Sequence, residues 1–240
     1  MLQGKTYWIL GASEGLGRAI AIELDKAGAS LILSARNQDR LEELANSLTD
    51  ARALQLDVTD ANSVARAAAS ASQADGMVYC AGFYEPMKAT DWDDASAFSM
   101  VDVNFTGGLR VLGQVVPAFL KQGHGHIVLI GSLAGFRGLP GAIGYGASKA
   151  ALMHLGENLY ADLKDTPVRV QTINPGFITT RLSSKNDFPM PFIMSPEKAA
   201  ARVVKAMQSG RFSTSFPAPF SWLFLLGRYL PLGLFHRLFR

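Results

Sequence analysis

The chain has 240 residues, 48% hydrophobic and 18% charged, with a net charge of +3. That balance suits one well-filled globular domain and excludes a disordered chain, a collagen-like repeat and a disulfide-stapled miniprotein. The only cysteine, Cys80, has no internal partner for a disulfide and fits a reducing compartment.

The charge is unevenly placed. Residues 198–240 hold seven basic side chains (Lys198, Arg202, Lys205, Arg211, Arg228, Arg237 and Arg240) and no acid, giving +7; residues 1–197, with sixteen basic against twenty acidic, carry −4. Blocks of Leu and Phe between the cations speak against nucleic acid, whose binders set single stacking aromatics in polar stretches. A lipid surface or an apolar partner fits better. The start, MLQGKTYWIL, shows no secretion-signal succession, and no stretch of about 18 residues is apolar and free of charge and proline. A cytoplasmic protein is expected, with peripheral membrane attachment left open.

Along the chain, short apolar runs alternate with longer segments of helical period. Strands are expected at 5–10, 29–34, 52–57, 75–80, 125–131 and 167–173, with helices between them. Such alternation predicts an α/β domain, a doubly wound parallel sheet covered on both faces. Gly28 stands where the first helix should end, and Ser195-Pro196 reads as an N-cap followed by proline at the first helical position.

Directly after the first strand come Gly11, Gly15 and Gly17, then an amphipathic segment. Glycines at a strand-to-helix turn let backbone N–H groups approach a pyrophosphate, which the helix dipole also favours. Out of context such a turn is often only a turn; here strand, glycines and helix follow in the required order. The second strand ends Ser34-Ala35-Arg36-Asn37 with no acid at its tip. An acid there would accept a ribose 2′-hydroxyl, whereas Arg36, helped by Arg18, offers donors to a 2′-phosphate, so NADP(H) is expected over NAD(H). The bland alternative is a solvated surface arginine.

Farther along, the strand at 125–131 runs into Ser132, and Tyr145 and Lys149 follow at i and i+4. That spacing puts phenol and ammonium on one helix face, where the cation favours the phenolate. Taken singly, Ser132 reads as a helix cap, Asn104 as a backbone-bonding kink and Lys149 as a solvated helix charge.

With these residues in place the chain resembles the short-chain dehydrogenase/reductase family over about residues 5–210. Gly11-x3-Gly15-x-Gly17 looks like its cofactor loop, Asp57 like the residue that meets the adenine, and Ala81-Gly82 like the end of its central-strand motif. Asn104 resembles its helix asparagine, Ser132 with Tyr145-x3-Lys149 its catalytic group, and Pro175-Gly176 with Thr180 its nicotinamide-side loop. The resemblance implies a Rossmann-type fold with a C-terminal helical appendage, residues 1–217 forming the nucleotide-binding and catalytic domain and residues 218–240 the tail. It implies a cofactor held by Gly11, Ser13, Glu14, Gly15, Leu16, Gly17, Arg36, Asp57, Val58, Ala81, Gly82, Tyr145, Lys149, Pro175, Gly176, Ile178 and Thr180. It further implies that Tyr145 transfers the proton, Ser132 steadies the substrate oxygen, Lys149 binds ribose and lowers the tyrosine pKa, and Asn104 holds a water joining that lysine to solvent. A homo-oligomer, dimer or tetramer, is implied as well.

Two features depart from the family pattern. Tyr79-Cys80 stands where two asparagines are usual, making Cys80 a packed wall residue rather than a nucleophile, and the chain runs 23 residues past Pro217, which puts the usual tetramer in doubt. In the lid at 177–194, Phe177, Ile178, Leu182, Phe188, Met190, Phe192, Ile193 and Met194 suit a lipophilic carbonyl or alcohol, or simply pack the loop down. The tail reads as two short amphipathic helices interrupted by Gly227, Pro231 and Gly233, with three placements open: beside the cleft, on a partner subunit, or in a membrane interface. His124 and His126 read as loop and surface residues, and no spacing suggests a metal site. The functional expectation is an NADP(H)-dependent carbonyl reductase or alcohol dehydrogenase. Its rival is an NADP(H)-binding redox sensor that engages a membrane or partner without turnover; an epimerase-like relative is disfavoured by length.

Overall fold

Runs of consecutive apolar side chains in the central strands, with alternate ones pointing to opposite faces, require helices on both sides of the sheet. The computed structural model describes residues 2–239; Arg240, counted among the tail cations, and the side chain of Phe239 lie outside the described residues. The strands are β1 (Thr6–Leu10), β2 (Ser30–Ser34), β3 (Ala51–Ala53), β4 (Gly76–Tyr79), β5 (Gly125–Ile130), β6 (Val168–Pro175) and β7 (Ser213–Phe216), in the order β3-β2-β1-β4-β5-β6-β7. Every neighbouring pair is parallel. The helices are α1 (Gly15–Lys26), α2 (Gln38–Asn46), α3 (Ala61–Ser70), α4 (Asp94–Val101), α5 (Gly107–Gln122), α6 (Ile143–Leu163), α7 (Pro196–Gln208), α8 (Phe220–Gly227) and α9 (Leu232–His236).

Alternation sorts the strand residues between two cores. Ile9, Leu31, Leu33, Val78 and Val128 pack with Ile20 and Leu24 of α1 and Val203 and Met207 of α7. Trp8, Ile32, Met77, Ile127 and Leu129 pack on the other face with Val64 of α3, Val111 and Val115 of α5 and Leu152 of α6. Full burial of each aliphatic chain contributes about 1.5–3 kcal/mol. The chain builds β1, β2 and β3 in one direction and then returns to lay β4 on the other side of β1. At that reversal a crevice opens beyond the carboxyl ends of β1 and β4, where ligands of such sheets bind.

The expected helix signals hold: Gly28 has φ +79° just past the C-cap Ala27, and the Ser195 hydroxyl accepts from the Lys198 N–H at 3.3 Å with Pro196 at the first position. Three expectations need correction. The third strand, expected at 52–57, leaves the ladder after Ala53, although Leu54 and Leu56 still donate to the Leu33 and Ala35 carbonyls at 2.8 and 3.0 Å. An additional edge strand, β7, forms from the polar run Ser213-Thr-Ser-Phe216, because β6 offers it a ladder that the sequence pattern does not reveal.

The third correction concerns His126, which is buried in β5 and not on the surface. The Arg169 guanidinium donates to its Nδ1 at 3.0 Å and the Tyr7 hydroxyl lies 2.8 Å from the same atom. A guanidinium only donates, so Nδ1 is the bare nitrogen and Nε2–H donates to Gln171 Oε1 at 2.8 Å. Gln171 in turn donates to the carbonyls of Ala206, Ser209 and Arg211, tying β6 to the end of α7 and the entry to β7. Burial, reinforced by the Arg169 charge, depresses the histidine pKa from 6.5 to about 3. The unfolded chain therefore binds a proton below about pH 6.5 that the folded chain refuses until about pH 3, so stability declines as pH falls through that window, by up to about 1.4 kcal/mol per unit. Thermal unfolding between about pH 7.5 and pH 5 should show a shallower loss of stability for His126→Gln than for the parent chain; identical slopes would contradict this assignment.

Candidate active site

The glycine loop forms one wall of the crevice by close backbone approach. Gly11 has φ +89°, and a Cβ there would stand 2.7 Å from the Ala81 Cα; a Cβ on Gly17 would lie 2.0 Å from the Gly11 carbonyl oxygen. No side chain fits at either place, which brings the start of α1 against the tip of β4. Among the described residues no side chain caps α1, whose first N–H groups face the crevice beside Ser13, Gly15 and Leu16. Its dipole and donors suit an anion.

From this loop a cavity of about 1650 Å³ runs across the sheet edge. Arg36, Arg40, Asp57 and Val58 line one end; Ala81, Gly82, Pro175, Gly176, Ile178 and Thr180 line the middle; Ser132, Tyr145 and Lys149 line the far part. Asp57 accepts from the Thr59 N–H and hydroxyl at 2.9 and 2.7 Å. Burial pushes its carboxyl up, but those bonds together with Arg36 and Arg110 outweigh burial and hold it below the usual carboxylate range. Arg18 is not among the residues that line the cavity; Arg40, one turn beyond Arg36, takes its place. Glu14 lines the cavity, yet its carboxylate is engaged by Arg40 at 2.9 Å and by the Arg181 Nε at 3.0 Å, bridging the glycine loop to the lid. Hydrogen bonding from Arg181 is the main reason its pKa is lowered.

Ser132 leaves β5 in extended conformation and caps a short 3-10 turn, accepting from the Ala134 N–H at 3.2 Å. Tyr145 lies in the first turn of α6 and Lys149 one turn on. Burial pushes the Tyr145 phenol up, a nearby Ser132 hydroxyl draws it down by hydrogen bonding, and Cys80 adds to the rise. The Lys149 ammonium lies over the Tyr145 ring, 5.9 Å from its centroid, and donates to the Ile130 carbonyl at 2.8 Å. Lys149 is 4% exposed, and burial brings its pKa from 10.5 down to about 8.

Asn104 is fully buried in a π-helical turn, Asp102–Thr106, between α4 and α5. Its Oδ1 accepts from the Phe83 N–H at 2.7 Å, and its Nδ2 donates to the Phe83 carbonyl and the Ser148 hydroxyl, both at 2.9 Å. These bonds clamp the loop after Gly82. Tyr79 supports the same turn, donating to the Val103 carbonyl at 2.6 Å. A Cβ on Gly82 would stand 3.6 Å from Asn104 Oδ1 and 3.9 Å from Lys149 Nζ, so this glycine keeps the space before the ammonium open. Cys80 is a wall residue whose thiol burial pushes up to about 11, which suits packing and not nucleophilic attack.

Beyond Tyr145 the lining is mixed, with aromatic and aliphatic side chains beside Tyr84, Lys185, Asn186 and Asp187. Tyr84 meets the Tyr145 ring edge-on at 5.1 Å and donates to Asn186 of the lid at 2.7 Å. Lys185 pairs with Glu85 and donates to the Tyr84 carbonyl at 3.2 Å, so two polar ties fasten the lid. Phe177, Phe188 and Phe192 of the lid, and Phe220, Leu223 and Phe224 of α8, complete the chamber. The tail helices form as expected and their inner face packs beside the cleft, with Leu133, Phe220, Phe224 and Phe235 as a buried cluster. Gly227 ends α8 and does not interrupt it; a Cβ there would meet the Phe235 ring at 2.6 Å.

Arg40, Tyr84, Arg181 and the α8 residues are site features that the sequence reading missed. Arg40 and Arg181 had a usable signal, lying four residues past Arg36 and one past Thr180. Tyr84 and α8 reach the chamber through tertiary packing alone.

Comparison with known proteins agrees with this architecture. The short chain dehydrogenase family profile matches residues 5–188. An uncharacterized oxidoreductase of Myxococcus xanthus is 35% identical over 239 residues, covering 96% of this chain and 94% of its own. One of Staphylococcus epidermidis is 35% identical over 208 residues, covering 85% and 90%. Among solved structures, a short chain dehydrogenase from Burkholderia cenocepacia in complex with NADP has a TM-score of 0.89 at 25% identity, covering 99% of this chain and 98% of that one. A short-chain dehydrogenase from Sphingobium yanoikuyae in complex with NADPH has a TM-score of 0.84 at 26% identity, covering 93% and 92%. The glycine loop, the reversal crevice and the serine, tyrosine and lysine at its edge thus belong to a recognised lineage: the chain is a member of the short-chain dehydrogenase family.

Proposed function

We propose that the protein is an NADP(H)-dependent oxidoreductase that interconverts a lipophilic carbonyl compound and its alcohol. The observation that carries this reading is the single cavity: glycine cradle and arginines at one end, Ser132, Tyr145 and Lys149 farther along, and a chamber with a Phe and Leu wall beyond them. The fit to a dinucleotide rests on the tight backbone turn that Gly11 and Gly17 permit, on the side-chain-free surface at Gly82 and on the uncapped start of α1. Arg36 and Arg40 border the cavity; Arg40 is engaged by Glu14, which Arg181 also neutralises, and Arg36 lies near Asp57 without an ion pair to it among the described residues. NADP-bound structures among the relatives support the phosphorylated cofactor.

When bound, the cofactor supplies or accepts the hydride. The chain's own residues handle the proton and the charge. In reduction, Tyr145 donates its phenolic proton to the substrate oxygen while the Ser132 hydroxyl donates a hydrogen bond to the same atom. Lys149, the cation nearest the phenol, favours the phenolate left behind and offers further donors to ribose hydroxyls. Asn104 acts by position, holding the Phe83 backbone so that Gly82 and Lys149 face the cavity. Tyr84 and the lid exclude water above Tyr145. The Phe and Leu wall favours substrates with an extended apolar substituent.

In an assay of NADPH oxidation against apolar ketones, Tyr145→Phe should lower kcat by about 10²–10⁴ while NADPH still binds. Equal rates in both proteins would overturn the enzymatic reading. Replacing Arg36 with Ala should weaken NADPH binding at least about fivefold and leave NADH binding nearly unchanged, since one charge-assisted contact to an exposed phosphate is lost. A parallel loss for both nucleotides would remove Arg36 from cofactor discrimination.

A further inference from the structure

The chamber accounts for the inner face of the C-terminal segment and leaves its outer face open to solvent. Phe220, Phe224 and Phe235 are buried, and Arg137 ties the segment down by donating to the Arg228 and Leu230 carbonyls at 3.1 and 2.7 Å. The segment is therefore docked, and its outer residues cannot turn inward. Those outer residues are Trp222, Leu226, Tyr229, Leu232 and Leu234, between 48% and 79% exposed. The lid continues the surface with Phe188, Phe192 and Ile193, the Phe192 ring lying 5.7 Å from that of Phe220. A contiguous apolar rim of this kind marks an interaction surface.

The charges select the occupant. Arg228 and Arg237 are exposed within the rim, no acid occurs between residues 198 and 240, and the lid contributes one, Asp187. A second copy meeting this face about a two-fold axis would bring arginines together with little to neutralise them, whereas an anionic lipid surface complements both the cations and the apolar side chains. Exposed Trp and Tyr beside Leu and Arg match the chemistry of the headgroup boundary. No helix among the described residues is long and apolar enough to cross a membrane, so the contact is superficial.

We propose that the outer face of α8 and α9, with the lid tips, rests on an anionic bilayer, the apolar side chains entering the headgroup boundary and Arg228 and Arg237 facing lipid anions. This does not depend on turnover. The test is co-sedimentation of the full chain with vesicles of phosphatidylcholine alone and of phosphatidylcholine mixed with phosphatidylserine. Binding should be at least about tenfold greater to the mixed vesicles and should fall as salt is raised. The combined variant Trp222→Ser, Leu226→Ser, Tyr229→Ser should lose at least about tenfold in binding with its thermal unfolding midpoint retained. Should that variant fail to fold, the parent chain still decides: its tryptophan emission should shift to the blue on mixed vesicles and be quenched by brominated lipid. Absence of sedimentation and of spectral change with both vesicle types would overturn the proposal. So would a dimer in sedimentation velocity that the serine variant dissociates while lipid binding is absent, since the face would then belong to a second copy.

Discussion

The site is organised around one buried ammonium. Lys149 sits at the carboxyl edge of the sheet, nearly excluded from solvent, and its charge is met by the Ile130 carbonyl at 2.8 Å. A backbone dipole offsets only part of the cost of desolvating a cation, and that deficit is why the amine's pKa is brought down to about 8. An amine so placed gains from any ligand that supplies hydroxyl oxygens or negative charge, and the space that Gly82 leaves in front of it is where such a ligand reaches it. The same burial pushes the Tyr145 phenol up, so in both groups it favours the uncharged form.

Around that pair the fold is an exercise in close approach. The order in which strands are laid down opens the crevice, and glycines at the loop and at the tip of β4 let backbone line it. The π-helical turn carrying Asn104 lies between α4 and α5, where the asparagine side chain reaches both the Phe83 backbone and Ser148 on α6. Tyr79 replaces a smaller polar residue of the family pattern and turns its hydroxyl to the same π-helical turn, so the departure in sequence becomes a support for the site. The C-terminal helices add a wall to the chamber through Phe220, Leu223 and Phe224.

Much of this was legible in the residues themselves. Short apolar runs, a glycine loop in the right order and a Tyr–Lys pair one turn apart are local signals; the strands formed near their expected places except for the second half of the run at 52–57. The rest depended on partners distant in sequence. His126 reads as a loop residue next to Gly125, and only Arg169, Gln171 and Tyr7, brought together by the sheet, bury it. The four residues of β7 carry no strand pattern without β6 beside them. Glu14 and Arg181 are 167 residues apart, and no spacing rule connects them. The tail is apolar on both sides, so its sequence could not say which side faces the cleft.

The central claim is that Lys149 is a desolvated cation with no carboxylate partner among the described residues. Its side-chain amine can be followed by nitrogen NMR across an alkaline titration of the ligand-free protein, with Lys149→Gln identifying the resonance. The structure predicts a midpoint at about 8. A midpoint near 10.5, the ordinary lysine value, would mean an amine open to water or paired with an acid, and would contradict the account.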